Sequence, residues 1–102
     1  MARITLFWTP KSIQQMACVA EYIAHDSPYQ AKRVVTLIVH ATWRLKLFPE
    51  SGAVVPELGD ATVREIRVFS YRVLYRWFCD QRQVHIIGVV HGRQMLDESA
   101  ID

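Results

Sequence analysis

A chain of 102 residues, 51% of them apolar and 22% charged, is long enough for one packed core and too hydrophobic to be disordered. A domain of this size buries roughly 60% of its unfolded surface, which leaves little interior for an enclosed catalytic cavity, so function is expected on the surface. The formal charge of +2 is small, no apolar run exceeds the length of Ile86-Ile87-Gly88-Val89-Val90, and the start Met1-Ala2-Arg3-Ile4 has no apolar signal core, so the chain reads as one cytoplasmic domain over residues 1–102.

Residues 3–8 are rich in β-branched and aromatic types and predict a strand that stops at Thr9-Pro10, where Thr caps a helix and Pro fills its first position. Ile13, Met16, Ala17, Ala20, Ile23 and Ala24 then recur at helical spacing until Ser27-Pro28 repeats the same cap-then-proline signal. A second helix follows at once, with Ala31, Val34, Val35, Ile38, Ala41, Thr42, Leu45 and Phe48 in one stripe and Pro49 at its end. So short a connection predicts an antiparallel helical hairpin. Residues 50–60 are punctuated by glycine and proline and read as a crossing loop.

The last third is β in character, with strands predicted at 63–69, 71–79 and 84–91 and turns at Ser70 and at 80–83. In the middle strand Tyr71, Val73, Tyr75, Trp77 and Cys79 point one way and Arg72, Leu74, Arg76 and Phe78 the other. Neither set is wholly polar, so the helices are expected on one face and a partner on the other. The order β-α-α-β-β-β, with helices on one face of a mainly antiparallel sheet, is an α+β architecture. Residues 93–102 read as a short helix or a loose tail.

Residues 61–93 hold Arg64, Arg67, Arg72, Arg76, Arg82 and Arg93 against Glu65 and Asp80, followed by an acidic end at Asp97, Glu98 and Asp102. This predicts a local positive field. Arg64, Arg67, Arg72, Arg76 and Arg93 are candidates to converge as bidentate donors for phosphates or carboxylates, against the plainer reading of cross-strand pairs such as Glu65 with Arg72 or Arg76. His91, beside Gly92 and Arg93 at a strand end, is a candidate acid or base. His25, His40 and His85 have no visible partners and read as structural. Cys18 and Cys79 lack CxxC spacing and read as packed thiols, with neither a metal site nor a disulfide indicated. Trp43 and Trp77 are expected in the core, while Trp8, Phe69 and Phe78 are expected to be exposed for a partner if the second face of the sheet is open. No GxGxxG, P-loop, HExxH or GxSxG pattern occurs, so no cofactor or nucleotide is implied.

The ordered segments Tyr22-Ile23-Ala24-His25-Asp26-Ser27-Pro28, Phe48-Pro49-Glu50-Ser51-Gly52, Val55-Pro56-Glu57-Leu58, Arg64-Glu65-Ile66, Tyr71-Arg72-Val73-Leu74-Tyr75 and Val90-His91-Gly92-Arg93 resemble the RelE/ParE toxin superfamily, most of all its ParE-like branch of plasmid stabilisation proteins. The resemblance implies a toxin paired with an antitoxin whose extended C-terminal segment wraps and neutralises it, without a membrane or a small-molecule substrate. ParE-like members inhibit DNA gyrase, whereas RelE-like members cut messenger RNA in the ribosome.

The nuclease reading needs cations around the scissile phosphate and a general acid or base. Arg67, Arg72, His91 and Arg93 match that set by position. Glu65, however, falls where those nucleases place another cation, and no tyrosine follows Tyr75. The resemblance therefore favours a non-catalytic gyrase inhibitor, with Arg64, Arg67, Arg72, Arg76, His91, Gly92 and Arg93 as the target-binding surface. A small basic domain that merely binds nucleic acid is the plainest reading of the charge alone.

Overall fold

The computed structural model describes residues 3–94, 96 and 98–101. Strand β1 (Thr5–Trp8) leads into helix α1 (Pro10–Asp26) through Thr9, whose hydroxyl accepts from the Ser12 N–H at 3.3 Å while Pro10 opens the helix. Ser27 ends one helix and starts the next. Its N–H donates to the Ile23 carbonyl at 2.9 Å, and its Oγ accepts from the Gln30 N–H at 3.2 Å at the head of α2 (Pro28–Trp43). One residue doing both jobs makes the hairpin tight.

Past α2 the backbone tightens into a 3₁₀ turn at Arg44–Lys46. The change of period carries Phe48, expected in the buried stripe, out to 62% exposure, while Leu45 stays fully buried. In α1 the buried line runs through Ser12 and Met16. Ile13, Ala17 and Ala20 instead join Trp8, Val35 and Val39 as the walls of an open apolar groove along the hairpin.

The remaining strands are β2 (Ala53–Val54), β3 (Val63–Val68), β4 (Tyr71–Phe78) and β5 (Gln83–His91). They form one five-stranded mixed sheet in the order β1-β5-β4-β3-β2. The meander β3-β4-β5 is antiparallel, and β1 runs parallel to β5 because the helical hairpin returns the chain across the sheet. Strand β2 lies within the stretch predicted to be a loop; two exposed residues leave no alternating pattern to read. Opposite Leu74 and Tyr75 the β5 strand carries one extra residue, Ile87, since Tyr75 pairs with Ile86 and Leu74 with Gly88.

Both faces of the sheet are covered. Met16, Ile38, Leu45, Ile66, Val73, Tyr75, Val84, Ile86 and Val89 pack beneath the helices, with Tyr71 and Trp77 at the margin. Val63, Leu74, Ile87 and Val90 on the other face meet Val55, Leu58 of the 3₁₀ turn that follows it (Pro56–Leu58), and Leu96 and Ala100 of the C-terminal segment. The chain itself thus occupies much of the face expected to meet a partner. The tail contains a 3₁₀ turn at Glu98–Ala100; of the acidic end, Asp97, Asp102 and the Glu98 side chain lie outside the described residues.

Other expectations are corrected. Cys18 and Cys79 are exposed rather than packed. Trp43 is 52% exposed, since it sits on the outer side of α2. Trp8 is partly buried against the helix-side core, and Phe78 is partly covered by His85 at 4.6 Å between ring centres; Phe69 alone of that trio is exposed, in the β3–β4 turn. Among the described residues no helix is long and apolar enough to cross a membrane.

Candidate functional site

The six arginines of residues 61–93 do not form one cationic surface, because the sheet alternates their directions and nearby carboxylates hold most of them. Arg64 points to the helix side, where Nη1 donates to the carbonyls of Gly52 at 2.8 Å and Glu50 at 3.2 Å. Arg76 reaches Asp60 at 3.6 Å. The Asp60 carboxyl is held below its usual range by hydrogen bonds from Thr62, with the Arg76 charge adding to them.

Arg72 is buried, with 4% of its side chain exposed. Its Nη1 donates to Glu57 Oε2 at 2.7 Å, Nη2 donates to Glu57 Oε1 at 3.0 Å, and Nε donates to Glu65 Oε2 at 2.8 Å. Nη2 also reaches the same Glu65 oxygen. This is a guanidinium saturated on two sides by carboxylates. The bond to Glu57, joined by the bonds to Glu65, holds the Arg72 proton more tightly than usual, and the same bond holds the Glu57 carboxyl below its usual value. The pairing of Glu65 with Arg72 was among the cross-strand pairs expected. Glu57 was not, because it arrives from a loop whose return over the sheet leaves no periodic trace.

Arg67 lies on the same face as Arg72, directly opposite it in the β3–β4 register. It is 62% exposed and its Nε donates to Glu65 Oε1 at 3.3 Å. Its guanidinium also lies over Gly92, where a Cβ would come within 3.3 Å of Nη1 and 3.1 Å of the Ser70 carbonyl. That close approach suits glycine. The Gly92 N–H donates to this same carbonyl at 2.6 Å, closing the end of the sheet.

His91 is exposed and stacks edge-on to Tyr71 at 5.7 Å between ring centres. Its Nδ1 accepts from the Arg93 N–H at 3.2 Å, which places the proton of the neutral ring on Nε2. Arg93 is exposed. The structure therefore brings Arg67, Gly92, His91 and Arg93 to one end of the sheet, keeps Arg72 beneath it in an ion cluster, and puts Arg64 and Arg76 elsewhere. At that end Arg67 and His91 lie on opposite faces of the sheet, and the carboxylate of Glu65 stands between Arg67 and Arg72.

Behind His91 an open groove of about 610 Å³ runs between α1 and the ends of β4 and β5, lined by Lys11, Gln14, Gln15, Tyr22, Tyr71 and Gln94 among others. Gln15 was not singled out in the sequence. Its Oε1 accepts from the Val89 N–H at 2.8 Å and its Nε2 donates to the Ala100 carbonyl at 2.8 Å. Strand β1 stops pairing at Ile86, so this amide stands in for the missing strand and ties the tail to the sheet. Lys11 adds a bond to the Ser99 carbonyl. Among the described residues no three His, Cys, Asp or Glu side chains are placed to hold a metal ion.

The sequence matches the family described as ParE toxin of type II toxin-antitoxin system, parDE, over residues 6–96. It is similar to Toxin RelE2 of Caulobacter vibrioides, with 28% identity over 88 residues that span 86% of this chain and 94% of that protein. The chromosomal ParDE toxin-antitoxin system from P. aeruginosa includes a chain of like fold, with a TM-score of 0.70 at 20% identity over 86% of this chain and 95% of that one. The toxin-antitoxin complex RelBE2 from Mycobacterium tuberculosis gives 0.64 at 22% identity over 88% and 99%. At such identities the two structures speak for the fold, and the family match, running from β1 through the end of the meander, speaks for descent. The chain belongs to the ParE toxin family of type II toxin-antitoxin systems, within the RelE/ParE superfamily.

Proposed function

We propose that this toxin, a single domain working in the cytoplasm, acts on DNA gyrase as a non-catalytic inhibitor and is neutralised by a cognate antitoxin. The observation that carries this reading is the state of Arg72. A centre that cleaves a phosphodiester needs cations free to meet charge as it develops. Here Arg72, one of the arginines that match the nuclease set by position, is buried between Glu57 and Glu65, and Glu65 offers repulsion at the same place. The exposed remainder, Arg67, His91, Gly92 and Arg93, forms a contact surface at one end of the sheet. Antitoxin binding is supported by the apolar groove walled by Trp8, Ile13, Met16, Ala17, Val35 and Val39, which suits an amphipathic segment of a partner.

The likeness to a toxin named RelE2 and the His91–Arg93 bond favour a second reading, a ribosome-dependent endonuclease using Arg67, His91 and Arg93. A gyrase supercoiling assay run beside a ribosome-plus-message cleavage assay on one preparation decides between them. Inhibited supercoiling with intact message is the expected result; cut message with untouched gyrase overturns it.

A further inference from the structure

Folding neutralises most of the charge that the sequence concentrates in residues 61–93. Between residues 50 and 93, six arginines meet five carboxylates. Four of those arginines are paired: Arg64 with Glu50, Arg67 and Arg72 with Glu65, Arg72 again with Glu57, and Arg76 with Asp60. Residues 28–49 hold Lys32, Arg33, Arg44 and Lys46 and no carboxylate at all. None of these four makes an ion pair among the described residues.

At 3.6 residues per turn, the side of α2 opposite the buried Ile38 carries Tyr29, Lys32, Arg33, Thr36, His40 and Trp43, all of them exposed, and exposed Arg44 follows at the start of the 3₁₀ turn. Tyr29 is 73% and Trp43 52% exposed, and the His40 ring packs on Trp43 with centres 4.5 Å apart. Lys46 extends the line through the 3₁₀ turn. A helix of 16 residues is about 24 Å long, the span of about seven nucleotide steps.

The middle of this face has no aliphatic side chain; Leu37 sits at its margin, 37% exposed. A docking protein helix would need an aliphatic stripe, and the hairpin keeps that on a different side, in the groove of Trp8, Ile13, Ala17, Val35 and Val39. Cations interleaved with exposed ring faces suit a nucleic acid, the cations for phosphates and the rings for bases. We infer that the outer face of α2, with the Arg44–Lys46 turn, binds the phosphodiester backbone of a nucleic acid. This surface is separate from the His91 end of the sheet and stands whether or not gyrase is the target.

The test is fluorescence anisotropy of a labelled short duplex, and of its single strand, titrated with the full toxin over a range of salt concentrations. Four phosphate contacts give a slope of log affinity against log salt of about −3.6 on the duplex. K32Q/R33Q and R44Q/K46Q should each remove about 1.8 of that slope, while R3Q, at an exposed cation ahead of β1, should leave it unchanged. Binding that ignores both α2 variants, or capture of polyglutamate in place of either nucleic acid, overturns the inference. No gyrase enters this measurement, so it and the inhibitor reading fail separately.

Discussion

Glu57 accepts two parallel hydrogen bonds from Arg72, at 2.7 and 3.0 Å, and so ties the loop after β2 to the middle of the sheet. The geometry is the planar fork that only a guanidinium provides. Arg72→Ala leaves Glu65, 8% exposed, without its main cation. We expect a loss of about 3–5 kcal/mol in urea unfolding, and Arg72→Lys should recover only part of it. A loss below about 1 kcal/mol would show that the cluster does not secure the loop.

The same cluster predicts acid sensitivity. The Arg72 hydrogen bond lowers the Glu57 carboxyl from its ordinary 4.5, so folding is favoured by the ionised form. That contribution is complete above the ordinary value and disappears as pH falls through the lowered one. Stability of the wild type should drop as pH falls below about 5, and Glu57→Gln should drop less steeply. Equal slopes in the two proteins would exclude Glu57 as a source of the dependence.

Tyr75 holds the segment that leads into β2. Its hydroxyl donates to the Pro49 carbonyl at 2.8 Å and accepts from the Gly52 N–H at 2.9 Å, and burial pushes the phenol above its usual range. Tyr75→Phe strands a buried N–H and should cost about 1–3 kcal/mol. Gly52→Ala should cost a similar amount, since its Cβ would fall 2.6 Å from both the Glu65 carbonyl and the Tyr75 hydroxyl. Thermal unfolding of each variant measures both.

Arg67 and Arg93 are exposed, so Arg67→Ala and Arg93→Ala should change stability by less than about 0.5 kcal/mol. If the His91 end of the sheet contacts the target, the double variant loses supercoiling inhibition while its unfolding curve stays put. Full inhibition by that variant would move the contact elsewhere.

The elements that sequence reasoning placed well are those set by local chemistry. Thr9-Pro10 and Ser27-Pro28 cap helices by bonds that span three residues, and the alternation of Tyr71 to Phe78 assigns β4 faces that the core confirms. What stayed hidden depends on contacts between distant segments. Ile13 fits the helical stripe of α1 yet is 56% exposed, because the hairpin opens there into a groove. The charge reading went astray for the same reason: Glu50, Glu57 and Asp60 precede the strands in sequence but fold back onto Arg64, Arg72 and Arg76. Of the proposed contact surface, the grouping of His91, Gly92 and Arg93 was visible as a run of neighbours, and the approach of Arg67 to Gly92 was not.

The extra residue in β5 has an effect beyond its own position. His85 and His91 are six apart and in an unbroken strand would project from the same face. Ile87 and Gly88 both belong to the face away from the helices, so the alternation is offset and Val89 and His91 turn toward α1. Deleting Ile87 would restore the simple count and send His91 to the side of His85 and Phe78, away from Tyr71 and the groove. One inserted residue thus acts as a parity switch, selecting the side of the molecule on which the end of the last strand presents its imidazole.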